Sequence, residues 1–207
     1  MLHTLSEKIA DFLFDNNDDY PIEVYIYGIE ITLSTIIGAI SLLTAGLIFN
    51  LFAESIIYMI SLSVIRMFSG GYHSKTYLKC NIVLIISYIC SILFYRIYIN
   101  HFLENNFISF GIIFIISLCI FILFAPVSNP NKDISDANKN RFKIISLLLV
   151  FAELGLSYIV YEITGIYQVL IVLPTIVVID ISILVEIIFQ KRRVHNEKIK
   201  QCIKEGC

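Results

Sequence analysis

The chain has 207 residues, 57% of them hydrophobic and only 15% charged, with a net charge of -2. That balance is far from a soluble globular domain, and the near-neutral charge offers no reason to expect a nucleic-acid partner. Five cysteines without paired spacing, three of them in or beside apolar runs, argue against a secreted disulfide framework and read as reduced thiols.

In chain order, Leu2, Leu5, Ile9, Phe12 and Leu13 recur at helical spacing, and Thr4 stands three residues before Glu7 as a capping box. The spacing predicts an amphipathic helix within an N-terminal segment 1–28. Its polar face carries Glu7, Asp11 and Asp15, so docking onto protein suits it as well as lying in the membrane interface. Met1 to Glu30 holds one Lys against seven acidic residues, which does not fit a cleaved secretory leader. Asp15 to Asp19 and Pro21 then break the pattern.

From Ile29 to Ile65 the chain is apolar for 37 residues, about 55 Å as one helix and nearly twice the hydrocarbon thickness. Two spans fit better than one, near 29–49 and a short 53–68, with an outer turn at Asn50 and Glu54. Further spans are expected over 81–99, 107–125, 144–163 and 167–189. The fold class is therefore all-α: a single membrane-embedded domain over 1–207 with about six transmembrane helices.

Thirteen of the fifteen basic residues fall in 66–80, 126–143 and 191–207. The positive-inside rule puts those segments, and with an even span count both termini, in the cytoplasm.

The segment between the second and third spans, Arg66-Met-Phe-Ser-Gly70-Gly71-Tyr-His73-Ser-Lys-Thr-Tyr-Leu-Lys-Cys80, carries the chemistry. A thiol attacks as thiolate, and a nearby imidazole takes its proton and later returns one to the leaving group. Cys80 as nucleophile and His73 as base are the available pair. Seven residues along one helix separate them by about 10.5 Å, too far for a hydrogen bond, so the dyad requires a break in the helix. Gly70-Gly71 permits it. With Cys80 in the first turns of the next helix, the positive end of the helix dipole favours the thiolate. The histidines show no ligand spacing, so no metal site is read.

Arg66-x-x-x-Gly70-Gly71-x-His73 with Cys80 at the head of a span resembles the accessory gene regulator B (AgrB) family of membrane endopeptidases. Ala125-Pro126-Val-Ser-Asn-Pro130-Asn131-Lys132 is similar to that family's cytoplasmic loop after the fourth span. The resemblance implies a bacterial cell-membrane cysteine endopeptidase without cofactor, acting as a homodimer on a small AgrD-like propeptide. Cys80 would form an acyl-enzyme, and a thiol or hydroxyl of the peptide would close a thiolactone or lactone, yielding a quorum-sensing autoinducing peptide. It also implies importance for Arg66 and Gly71, and an acidic propeptide tail that the basic segments, Lys132 among them, would complement.

Physical reading leaves Arg66 open between steadying an oxyanion or substrate carboxylate and snorkelling to lipid phosphates. Glu153 and Asp180 fall midway along their spans, where charge marks function or internal pairing. Glu186, one turn from the cytoplasmic end, is a candidate to orient His73. A peptide transporter or export channel is the alternative function, motivated by Glu153 and Asp180, and a non-enzymatic scaffold is a third. Neither requires the Arg-x-x-x-Gly-Gly-x-His segment.

Overall fold

The apolar stretch that begins at Ile29 divides where the chain turns left-handed. In the computed structural model, which describes residues 2–14, 21–72, 74, 76–102, 106–127 and 136–205, Asn50 has φ 55°. The N–H of Leu51 donates to the Gly46 carbonyl at 2.8 Å, and that of Asn50 to the Leu47 carbonyl at 3.2 Å. This paired arrangement answers the last carbonyls of a helix, and asparagine is one of the few residues that enter it at low cost. Two helices result, α2 (Ile22–Ile48) and α3 (Phe52–Ser69).

The other described helices are α1 (Leu2–Leu13), α4 (Tyr77–Phe102), α5 (Asn106–Phe124), α6 (Asp136–Thr164) and α7 (Val172–Glu205), the last preceded by a 3-10 turn over Tyr167–Ile171. No strand occurs among the described residues, only an isolated bridge between Gly70 and Val127. Five helices are long and apolar enough to cross a membrane, over Ile22–Ile48, Phe52–Ser69, Tyr77–Asn100, Asn138–Thr164 and Tyr167–Arg193. A shorter apolar helix covers Ile108–Phe124; at about 1.5 Å per residue it reaches about 26 Å. The protein is an all-α polytopic membrane protein.

Four helix ends extend well beyond the expected spans. α2 begins at Ile22 rather than 29, α4 at Tyr77 rather than 81, α6 at Asp136 rather than 144, and α7 continues to Glu205 past the expected end at 189. Apolar length is fixed by the bilayer, whereas a helix needs only its own hydrogen bonds and continues wherever residues such as Gln, Lys, Arg and Glu permit. At the N-terminus α1 already starts at Leu2, so Thr4 lies inside the helix and forms no capping box.

The chain forms two compact units, Met1–Phe52 with Ser74–Ile86, and Ala53–His73 with Ser87–Cys207. In the first, α1 packs on α2. Ser6 and Ala10 supply its buried face, while Leu5, Phe12 and Leu13 stay exposed. His3 Nδ1 lies 2.6 Å from Glu30 Oε1, and the Phe14 and Tyr25 rings stack at 3.9 Å. Docking onto protein is thus what α1 does, through small residues rather than its large apolar ones.

Ser34, Gly38, Leu42 and Gly46 form the buried stripe of α2. Small residues at this spacing let helices approach closely in lipid. The first turns of α4 fill that approach: Asn81 Nδ2 donates to the Ser34 carbonyl at 3.4 Å, and a Cβ on Gly38 would meet Asn81 Oδ1 at 3.0 Å and Leu84 Cδ2 at 3.2 Å. The contacts advance together along both helices, which therefore run parallel.

In the second unit polar side chains cross-link the helices. Tyr58 Oη lies 3.0 Å from Ser87 Oγ, Ser55 hydrogen-bonds Tyr88, Ser61 donates to Glu153, and Ser117 donates to Asp180 at 2.6 Å. Tyr95 Oη donates to the Tyr167 carbonyl at 3.2 Å. The helix running through the 3-10 turn into α7 is the most buried of the membrane-length helices, with 56% of its apolar window inside the protein against 22 to 39% in the others.

Gly38→Leu is expected to force α2 away from Asn81 and Leu84, lowering stability by about 1–3 kcal/mol, read as an earlier thermal unfolding midpoint in detergent. Gly28→Ala, where a Cβ meets nothing within 4 Å, should leave the midpoint unchanged or slightly higher. Equal midpoints for Gly38→Leu and the parent would remove the close approach as a determinant of the fold.

Candidate functional site

α3 ends at the motif because Gly70 takes φ 73° and its N–H returns to the Arg66 carbonyl at 3.2 Å. That is a left-handed helix stop, a conformation in which glycine avoids the clash that any Cβ would bring. The peptide then meets the segment after α5. Val127 N–H donates to the Ser69 carbonyl at 2.9 Å, Gly70 bridges Val127, and a Cβ on Gly70 would run into the Val127 carbonyl. The Ala125–Pro126 peptide just before this contact is cis.

Gly71, at φ 122°, passes against α7, where a Cβ would stand 2.8 Å from Ser182 Oγ. Tyr72 N–H is shared between the Ser182 carbonyl at 3.2 Å and Ser182 Oγ at 3.0 Å. The Tyr72 carbonyl accepts from the Arg66 guanidinium, and its ring lies 5.5 Å from Phe189. Both backbone polar groups of Tyr72 are therefore held, one by each flanking helix. The helix is interrupted between Ser69 and Tyr77, which is the break that the His73 and Cys80 spacing requires.

Cys80 belongs to the other compact unit. It is half-buried in the first turn of α4, and its N–H donates to the Thr76 carbonyl at 3.0 Å, the first bond of the helix. The thiol thus sits at the N-terminal end of the helix. Asn81, the next residue, bonds to α2 and fixes the rotation of that turn.

Among the remaining expected site residues, His73 and Lys132 lie outside the described residues. Arg66, in the last turn of α3, places its guanidinium on the Tyr72 carbonyl. Glu186 is 1% exposed and ion-pairs with Arg193 two turns further along α7. Glu153 and Asp180 are each answered by a serine, Ser61 and Ser117. Among the described residues no group of three or more potential ligands could hold a metal ion.

Sequence reading did not single out Ser182. Its signal is faint: Ser182, Glu186 and Arg193 recur at intervals of four and seven on α7, a polar line along one helical face.

The model of the accessory gene regulator B family matches residues 6–203. The chain belongs to the AgrB family. It is 34% identical over 171 residues, 78% of its length and 77% of the relative's, to AgrB-like protein 2 of Clostridium perfringens (strain 13 / Type A). It is 34% identical over 167 residues, 76% and 75% of the two chains, to an AgrB-like protein of Clostridium perfringens (strain SM101 / Type A). With an AgrB-like protein of Clostridium beijerinckii it shares 29% over 163 residues, 77% and 78% of the chains. No solved structure matches. AgrB membership ties the protein to the agr quorum-sensing system, and the full-length match carries the glycine-containing loop and the Cys80 helix together.

Arg193→Met strands the Glu186 carboxylate and is expected to lower stability by about 1–3 kcal/mol, seen as a lower thermal midpoint. Adding Glu186→Leu should recover most of the loss. A single variant that unfolds like the parent would show that the pair contributes nothing.

Proposed function

We propose that this AgrB-family protein is a cysteine endopeptidase of the bacterial cell membrane that processes a small AgrD-like propeptide, with Cys80 as nucleophile and His73 as general base and acid. The observation that carries the reading is that α3 ends at Ser69 and a separate helix, α4, begins at Tyr77 with Cys80 in its first turn. A continuous helix here would forbid the dyad.

In this mechanism His73 takes the Cys80 proton and the thiolate attacks a backbone carbonyl of the propeptide. The C–N bond breaks, and the departing amine receives the proton from the His73 imidazolium. A thioester remains between Cys80 and the N-terminal part of the peptide. A cysteine thiol within that peptide then gives its proton to His73 and attacks the thioester carbonyl. The bond to Cys80 breaks, the Cys80 sulfur recovers the proton, and a thiolactone ring closes, or a lactone where the internal nucleophile is a serine.

Exchange of one thioester for another nearly conserves bond energy, so the competitor to be excluded is water. A site at the membrane edge restricts it. Basic side chains of the C-terminal helix, such as Lys191, Arg192 and Arg193, complement the acidic tail expected of the propeptide, and Lys132 is assigned to the same role. The positive-inside bias supports an orientation with the loop and both termini cytoplasmic, and the working form is a homodimer. Glu153 and Asp180, the motive for a transport reading, each accept a hydrogen bond from a serine of a neighbouring helix.

Cys80→Ala and His73→Ala are each expected to abolish cleavage of the cognate propeptide, by at least about a hundredfold, while the protein still inserts. Intact mass under conditions that slow cyclisation should show the parent carrying the N-terminal part of the propeptide on Cys80. Cleavage that persists in Cys80→Ala removes Cys80 from the chemistry, and an active enzyme that never shows the adduct points to direct thiol or water attack.

A further inference from the structure

The residue immediately before the proposed base is held from three directions. Tyr72 N–H is divided between the carbonyl and the hydroxyl of Ser182, its carbonyl is bound by Arg66, and its ring meets Phe189. Gly71 packs so close to the Ser182 hydroxyl that only a residue without a side chain fits. α3 and the Val127 peptide hold Gly70 from the other side. Ser182 is the only side chain in this set that both accepts the Tyr72 N–H and lies against Gly71.

We propose that Ser182 of α7 is a positioning residue of the catalytic loop: its hydroxyl and carbonyl fix the Gly71–Tyr72 backbone, from which the chain leads directly into His73. The inference rests on the dyad proposed above and assigns it a structural partner from a helix more than a hundred residues away in sequence. The requirement is for an acceptor. Glycine at 70 and 71 gives the loop its turn and also leaves it without side chains to hold that turn. A polar anchor outside the loop selects one conformation from the many that two glycines permit. Ile179 and Ile183, either side of Ser182 on the same helix, are fully buried, so the anchor stands on a well-packed support.

The test uses full-length protein in detergent micelles and needs no propeptide. Iodoacetamide alkylates only the thiolate, so the rate at Cys80, resolved by peptide mass and scaled to Cys202 and Cys207 of the same molecule, reports the imidazole at work. His73→Ala should slow Cys80 alkylation at pH 7 about tenfold. Ser182→Val and Ser182→Thr have the same shape and differ by a methyl for a hydroxyl. Val should slow Cys80 at least about fivefold, and Thr, which keeps the acceptor, should stay within about twofold of the parent. Ile181→Ala, on the exposed neighbour, should change nothing.

A Val variant that alkylates like the parent while His73→Ala is slow overturns the role of Ser182 and leaves the dyad standing. Equal losses in Val and Thr reduce Ser182 to packing and also overturn it. Parent-like alkylation in His73→Ala overturns the dyad, and the positioning role with it. Thermal midpoints of the variants within about 2 °C of one another keep misfolding out of the comparison.

Discussion

A backbone N–H or carbonyl shut away from water must find a partner in the protein, and near hydrocarbon there is little water to substitute. That requirement decides how each helix of this chain ends and therefore where its chemistry can stand. α2 closes on itself through Asn50 and Leu51. α3 closes through Gly70, and the polar groups around that stop are answered from elsewhere in the fold: Ser69 by Val127, Tyr72 by Ser182 and Arg66. These bonds hold the described start of the irregular stretch in place.

Carboxyls within the spans draw on the same kind of partner. Glu153 and Asp180 each receive a serine hydroxyl from a neighbouring helix. Together with the Ser55–Tyr88 and Tyr58–Ser87 contacts, these bonds give the second unit its register. In lipid, apolar side chains gain little by meeting each other rather than acyl chains, so hydrogen bonds and close packing choose the neighbours. The first unit uses the close-packing route, with the small face of α2 admitting α4 at Gly38.

Residues whose meaning is local were legible in the sequence. Asn50 and Gly70-Gly71 mark breaks because few other residues adopt their backbone angles, and both breaks occur there. The basic motif segment and Cys80 at a helix head could be placed for the same reason. Helix ends in charged sequence were not legible, since hydropathy reports where lipid stops and not where hydrogen bonding stops; α7 runs on to Glu205. The pairing of Glu186 with Arg193 was not legible either, since it depends on which helical face points inward. Ser182 left only a faint trace, because a contact across 110 residues depends on packing that no local pattern encodes.

α7 has one more property, that of a lever. Its 34 residues span about 51 Å at 1.5 Å each, well beyond the hydrocarbon, and the helix is unbroken from the core to Glu205. A stiff rod transmits rotation and sliding along its whole length. Ser182 and the charged tail therefore stand on one continuous element, so the grip on the loop and the far end of the tail share a single helical axis.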